Sequence, residues 1–320
     1  MNADGSDVVE LAADFDRGFS SVTWHPNGRS LIAQIENAGV IDVISVSMEG
    51  EVETLVTNLG GTSIGRPYAA GSFTVSDTRR PVMAYTAGSP DRPAEIAVTG
   101  SRIDDRILTD LNSDVLDHLD MATIEEINVP PRHDGLEIEA WAALPPGFEA
   151  DGSAPMLMEI HGGPFAMYGP YFASEIQRFA AEGYVTVYLN PRGSTGYGSD
   201  FAMAIDLAYP GFDYEDLMSV TDALIERNYV SADRLFVTGG SGGGILTAWI
   251  VGKTDRFAAA ATVKPVINWM TMALSADIAQ FVRRHWIRSD PWENPEAFLD
   301  RSPIMLIEDV VTPTLVKVGE

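Results

Sequence analysis

The sequence predicts an α/β chain: a mostly parallel sheet with helices on both faces, preceded by short antiparallel strands. Three observations carry this expectation. From residue 122 onward, apolar strand-like runs alternate with helical segments. Before it, short strands and turns recur once, at a period of about 50 residues. Residues 235–246 read as a buried strand, a glycine turn with one serine at its apex, and a helix.

The repeat comes first along the chain. Val22-Thr23-Trp24-His25-Pro26-Asn27-Gly28 followed by Leu31-Ile32-Ala33 aligns with Phe73-Thr74-Val75-Ser76-Asp77 followed by Val82-Met83-Ala84. Leu55-Val56-Thr57-Asn58-Leu59 aligns with Ile107-Leu108-Thr109-Asp110-Leu111. Four short strands per period is the pattern of a β-propeller blade, so residues 1–121 are expected to form about two blades. An antiparallel sandwich with accidental similarity is the alternative. Two blades do not close a propeller, which needs about four.

Residues 122–320 form the second expected domain. Strands are predicted at 125–129 and 136–144, as a hairpin around His133-Asp134-Gly135, and at 155–160 and 184–189. An amphipathic helix is expected over 172–183. Asp213 can cap a helix running to residue 227. A strand at 235–238 leads into a helix at 243–252, and strands follow at 258–263 and 314–318. Residues 266–307, rich in Trp and Met, fit helices and loops between the last two strands.

Gly239-Gly240-Ser241-Gly242-Gly243 meets the G-x-S-x-G pattern of a nucleophile elbow in its strand–turn–helix setting. A serine there is held in a strained turn with its hydroxyl above the sheet end, and the glycines let strand and helix close around it. Ser241 is the candidate nucleophile of an α/β-hydrolase. A phosphate-binding glycine loop is the competing reading. It fails because no Lys-Ser or Lys-Thr follows, and Ile245 occupies the last glycine position of G-x-G-x-x-G.

His161-Gly162-Gly163-Pro164 follows the strand at 155–160 directly. A loop of this type aims a backbone N–H at the oxygen of a tetrahedral intermediate. Gly163 and Gly162 are the candidate oxyanion residues there, and Gly242 supplies the other N–H from the elbow. His161 reads as a structural anchor of its loop rather than a base. Arg192 and Tyr197 are weaker candidates for holding substrate; for Arg192 the alternative is bracing its own loop. Trp269, with Met270 and Met272, lines an apolar specificity pocket or is plain core. Asp213 and Asp216 read as a helix cap and a first-turn charge rather than a catalytic pair. No cluster has metal-ligand spacing, and serine acyl transfer calls for no cofactor.

His161-Gly162-Gly163-Pro164, then Asn190-Pro191-Arg192-Gly193-Ser194-Thr195-Gly196-Tyr197-Gly198, then Gly239-Gly240-Ser241-Gly242-Gly243-Gly244, in this order, resemble the prolyl oligopeptidase family. The resemblance covers residues 122–320 and is strongest to the acylaminoacyl-peptidase and dipeptidyl-peptidase-like branch. It implies a serine peptidase cleaving short peptides through an acyl-enzyme, with a propeller that filters substrates by size. One departure stands out: the family commonly has tyrosine after the serine, where this chain has Gly242.

The resemblance also implies that the triad acid lies a residue or two beyond Gly319-Glu320, with the histidine later still. The order for this fold is serine, acid, histidine. His285 precedes the expected acid strand and is out of order, while His25, His118 and His133 lie in or near the propeller side. Glu320 is a weak candidate for the acid. The expectation is a chain truncated at both ends, without its base, and inactive alone. The rivals are an esterase or lipase on the same fold and a non-catalytic binding module.

Composition narrows the partners. Acidic residues outnumber basic ones 46 to 21, a net charge of −25. That argues against nucleic acid and anionic membranes as partners; short peptides are the substrates the resemblance implies, and a homo-oligomer stays open. The only lysines are Lys253, Lys264 and Lys317. This usage suits a high-salt habitat or a biased genomic base composition alike. With no cysteine, disulfides, thiolate metal sites and a cysteine nucleophile are excluded. No apolar run approaches the ~18 residues of a membrane span, and the acidic, polar residues 1–7 do not read as a signal peptide.

Overall fold

A computed structural model describes residues 4–61, 63–131 and 133–319. Contacts divide the chain into two units. One comprises Met1–Asp120 with Gly169–Ser174 and Thr195–Ser199; the other comprises Met121–Tyr168, Glu175–Ser194 and Asp200–Glu320.

The first unit holds β1 (Phe19–Trp24), β2 (Ser30–Asn37), β3 (Val40–Ser47) and β4 (Val52–Leu59), each antiparallel to the next. Ala38 and Gly39 make the tight turn between β2 and β3 with φ of 44° and 74°, the two positive values that a two-residue hairpin of matching twist demands. Ala33 and Ile35 of β2 and Ile44 and Val46 of β3 form a buried cluster, with Leu11, Phe15 and Val52 packed against it. A second group follows: β5 (Phe73–Val75), β6 (Val82–Ala87), β7 (Glu95–Gly100) and β8 (Ile103–Ile107), again antiparallel. Leu59↔Ala87 is the pairing that joins the two groups. Tyr171, which belongs to this unit by its contacts, accepts a hydrogen bond on its hydroxyl from Ile41 N at 3.0 Å. Helix α1 (Ser113–Leu116) closes the segment.

The second unit is built on one sheet. Its strands are β9 (Thr123–Val129), β10 (Ile138–Leu144), β11 (Met156–Ile160), β12 (Val185–Leu189), β13 (Leu235–Gly240), β14 (Ala259–Val263) and β15 (Thr314–Lys317), in the order β15-β14-β13-β11-β12-β10-β9. β11 to β15 run parallel, while β9 and β10 form an antiparallel hairpin on the edge beside β12. Val185-Thr186-Val187-Tyr188-Leu189 of β12 is buried throughout. That is the β-branched and aromatic run expected of a strand covered on both faces.

Helices connect the parallel strands: α2 (Ser174–Ala181), α3 (Ser199–Met203), α4 (Phe212–Glu226), α5 (Gly242–Lys253), α6 (Trp269–Ser275), α7 (Ala279–Phe281) and α8 (Pro295–Leu299). A π-helical turn covers Val282–Trp286, and a 3₁₀ segment covers Pro303–Asp309. From β11 the chain steps to β12, then crosses back to β13 on the other side and continues outward. Right-handed crossovers put the helices of the two directions on opposite faces. The reversal opens a crevice beyond the carboxyl ends of β11 and β13, where ligands of open α/β sheets bind.

One first-turn assignment changes. Gly211, not Asp213, occupies the cap position of α4. Asp213 is fully buried in the first turn, and its Oδ1 accepts from Gly211 N at 2.6 Å and Tyr214 N at 2.8 Å. Among the described residues no helix is long and apolar enough to cross a membrane, and no group of His, Asp or Glu is arranged to hold a metal ion.

Candidate active site

β13 ends at Gly240 and α5 begins at Gly242, so Ser241 alone makes the turn. Its backbone stands at φ 58°, ψ −116°, a conformation that costs a residue with a Cβ about 1–3 kcal/mol. Two hydrogen bonds hold it there: Ser241 N donates to Val263 O, and Ile245 N donates to Ser241 O, both at 2.9 Å. The turn leaves Ser241 exposed, while residues 242–247 behind it are buried. A Cβ on Gly243 would lie 2.0 Å from Ile160 O, so glycine is what lets the helix start press against the end of β11.

The loop at 161–164 leaves β11 next to this turn. Ile160 is paired with Gly239 in the sheet. Gly163 has φ 129°, open to glycine alone at low cost. A Cβ on Gly242 would lie 2.9 Å from both N and O of Gly163, so the two amides are immediate neighbours. Among the described residues, neither Gly163 N–H nor Gly242 N–H has a hydrogen-bond partner. Gly242 N–H is one of the open donors of the first turn of α5, where the helix dipole adds positive potential. Two open amides beside an exposed serine hydroxyl can stabilise a developing oxyanion.

His161 orients this loop. It is buried, with Nδ1 2.8 Å from Gly162 O and Nε2 3.0 Å from Ser194 Oγ. Burial pushes the imidazole down to about 4, against the opposing pull of the Gly162 carbonyl. The ring is therefore neutral near pH 7, and the carbonyl requires its proton on Nδ1. A planar trans peptide couples Gly162 C=O to Gly163 N–H, so fixing the carbonyl aims the amide. Ser194 Oγ lies 2.7 Å from Pro191 O as well, so its one proton has two acceptors within reach, that carbonyl and the unprotonated Nε2.

An aromatic group completes the surroundings. Tyr209 donates its hydroxyl to Gly242 O at 2.8 Å. Its ring meets Trp286 at 5.5 Å, and Trp286 meets Phe165 edge-on at 5.9 Å and Trp269 at 6.0 Å. Trp269 is buried and packs in this group rather than standing alone as a pocket wall. Tyr209, Phe165 and Trp286 lie in no motif, and nothing in the sequence marks them as neighbours.

Arg192 is placed differently from the substrate-holding role considered for it. It is 4% exposed. Its backbone N and Nε both donate to Asp216 Oδ2 at 2.9 Å, and Nη2 donates to Asp216 Oδ1 at 2.8 Å. Nη1 and Nη2 also reach the Asp134 carboxylate at 2.9 and 3.3 Å. Burial opposes the charge on Arg192, but the bonds to Asp216 and Asp134 outweigh it and push its pKa up. The same contact moves Asp134 down from the ordinary carboxylate range. Asp216, read from the sequence as a first-turn charge, is the buried partner of Arg192.

A profile of the prolyl oligopeptidase family matches residues 170–320. Through these residues the chain belongs to the prolyl oligopeptidase family. An uncharacterized peptidase, YuxL, of Bacillus subtilis is 38% identical over 250 residues, covering 78% of this chain and 38% of that protein. The acylamino-acid-releasing enzyme of Arabidopsis thaliana is 32% identical over 52% of this chain and 23% of its own length. Among solved structures, the acylaminoacyl peptidase of Pyrococcus horikoshii superposes with a TM-score of 0.81 at 26% identity, covering 98% of this chain and 48% of that one. The chain thus spans less than half the length of these members of a serine peptidase family.

Tyr197 groups by its contacts with the first unit. His133 stacks on Phe212 at 4.4 Å and faces Asp134, and His285 lies against Phe281. His25 accepts from Asn27 N within its own turn. His118 also groups with the first unit. Glu320 lies outside the described residues.

Proposed function

We propose that residues 122–320 form an α/β-hydrolase domain, that residues 1–121 form about two β-propeller blades, and that Ser241 is the nucleophile of a serine peptidase acting on short peptides. The observation that carries this is the Ser241 turn, exposed and strained at φ 58°, with the open amides of Gly242 and Gly163 beside it. Ser241 Oγ attacks the peptide carbonyl, and the displaced electron pair settles on the carbonyl oxygen. The two N–H groups hold that charge, with Gly162 supplying the peptide that aims one of them. The serine proton goes to a base, which passes it to the leaving amine. The steps use no metal or cofactor. Peptides, rather than nucleic acid or anionic membranes, suit a chain of net charge −25.

None of the five histidines stands in the serine–acid–histidine order, and among the described residues none is hydrogen-bonded to Ser241. The 320 residues by themselves therefore turn over no substrate. An oxyanion hole and binding alone still leave about 10³–10⁴-fold over water, enough to acylate Ser241 from an activated ester. Mixing the chain with the p-nitrophenyl ester of an N-acyl dipeptide should give slow, stoichiometric acylation of Ser241, faster than with p-nitrophenyl acetate. Equal rates would favour an esterase. Peptide binding with no acylation of Ser241 would favour a non-catalytic module.

A further inference from the structure

The chain carries few cations, yet three arginines line one cavity in the second unit, about 420 Å³ in volume, with Arg283, Arg284 and Arg288 facing Ser289, Asp290 and Glu293. Two of them are already paired with carboxylates. Arg283 pairs with Asp290 and places its guanidinium 4.9 Å over the Trp292 ring. Arg288 grips both oxygens of Asp206 at 2.8 and 2.9 Å. The Arg284 side chain is exposed and has no ion pair or hydrogen bond among the described residues. Close by, Arg301, which feels the charge of the same Asp206, keeps a buried Nη1 without a partner. Of the three arginines lining the cavity, Arg284 is thus the one whose guanidinium no carboxylate of the described residues holds.

The cavity is built on the turn that touches the oxyanion elements. Val282–Trp286 presents Arg283 and Arg284 to the cavity and Trp286 to Phe165 and Tyr209, whose hydroxyl holds Gly242 O. Asp290 takes up Arg283 and Asp206 takes up Arg288, which leaves Arg284 as the one guanidinium of the cavity without a carboxylate partner among the described residues. That suits one carboxylate better than a doubly charged phosphate, and planar guanidinium forks match carboxylate geometry.

We propose that this cavity is a subsite for a carboxylate presented by a bound peptide, either its C-terminus or an acidic side chain. The proposal rests on the peptidase reading of Ser241. Its test uses the full chain with Ser241→Ala and a fluorescent N-acyl peptide in four forms: free acid, C-terminal amide, and each internal Glu or Gln counterpart. Fluorescence anisotropy should show about tenfold tighter binding for the carboxylate form that occupies the site, the value of one charge-assisted contact. Acid against amide identifies the C-terminus as the source, and Glu against Gln identifies the side chain. The preference should vanish in Arg284→Gln and shrink at high salt. Four forms that bind alike, or a preference that survives Arg284→Gln, would overturn the subsite and leave the peptidase reading standing. A separate arm follows tryptophan fluorescence during titration with succinate. A response that depends on Arg284, with no peptide bound in any form, would overturn the peptide reading and keep an anion site. No response and no preference would overturn the cavity itself.

Discussion

A side-chain carbon on Gly242 would come to rest 2.9 Å from the amide nitrogen of Gly163. The residue after the serine and the glycine of the preceding loop are packed so closely that only glycine fits between them. Gly242→Ala should therefore push the 161–164 loop off Ser241. The N–H of Gly242 survives, but the Gly163 donor is lost. Acylation of Ser241 by an activated peptide ester should fall by about 10²–10³, the cost of one oxyanion donor. An unchanged rate would mean that Gly163 is not a donor.

His161→Gln tests how that amide is aimed. The substitution removes the Nδ1–H bond to Gly162 O and leaves Ser241 and Gly242 untouched. Acylation should slow while peptide affinity for the Ser241→Ala background changes little. Equal losses in affinity and rate would point to a collapse of the loop rather than a misdirected amide.

Arg192 has a structural role with a measurable size. Removing it leaves Asp216, at 0% exposure, as an unpaired buried carboxylate. Arg192→Met should lower unfolding free energy in urea by about 3–5 kcal/mol. Arg192→Lys should also destabilise, because an ammonium cannot donate to both Asp216 oxygens and Asp134 at once. A variant with unchanged stability and weakened peptide binding would restore the substrate-holding role.

Two buried groups give opposite dependences of stability on pH. His161 sits at about 4 against an ordinary value of 6.5, because burial disfavours its cation. The unfolded chain binds a proton there that the folded chain refuses, so its contribution is full above pH 6.5 and is lost as pH falls towards 4, about 3 kcal/mol in all. Asp213 is raised from 3.8 to about 7 by burial, against its bonds from Gly211 and Tyr214. Its contribution is full below 3.8 and is lost as pH rises through 7, about 4 kcal/mol. Asp213→Asn keeps an acceptor for both amides and removes the titration. Relative to the parent, its urea stability should improve as pH rises from 4 to 7. A difference that stays constant with pH would contradict a protonated Asp213.

The sheet and the elbow were legible because each is written in contiguous residues. The sequence predicts a strand over residues 235–238, and the strand continues to Gly240. Its neighbours β11 and β14 supply the pairing that glycine's weak strand preference would not. Helix α5 begins at Gly242 rather than at 243 for a related reason: Ser241 turns the chain completely within one residue. The contacts that the sequence leaves open share one cause. Asp216 lies 24 positions from Arg192, and Asp134 lies 58 positions away. A charge in the first turn of a helix looks solvated until the fold buries it. The same distance in sequence hid Tyr209, Phe165 and Trp286, which meet only through tertiary packing.

The most direct test of the central claim is the pH dependence of fluorophosphonate labelling of the 320-residue chain, with the modified residue located by peptide mass mapping. The account predicts a label on Ser241 alone, formed slowly, at a rate rising about tenfold per pH unit with no plateau near the ordinary histidine range of 6.5. Attachment at other serines would contradict the role given to Ser241. Fast labelling with a plateau near pH 7 would contradict the absence of a base among these residues.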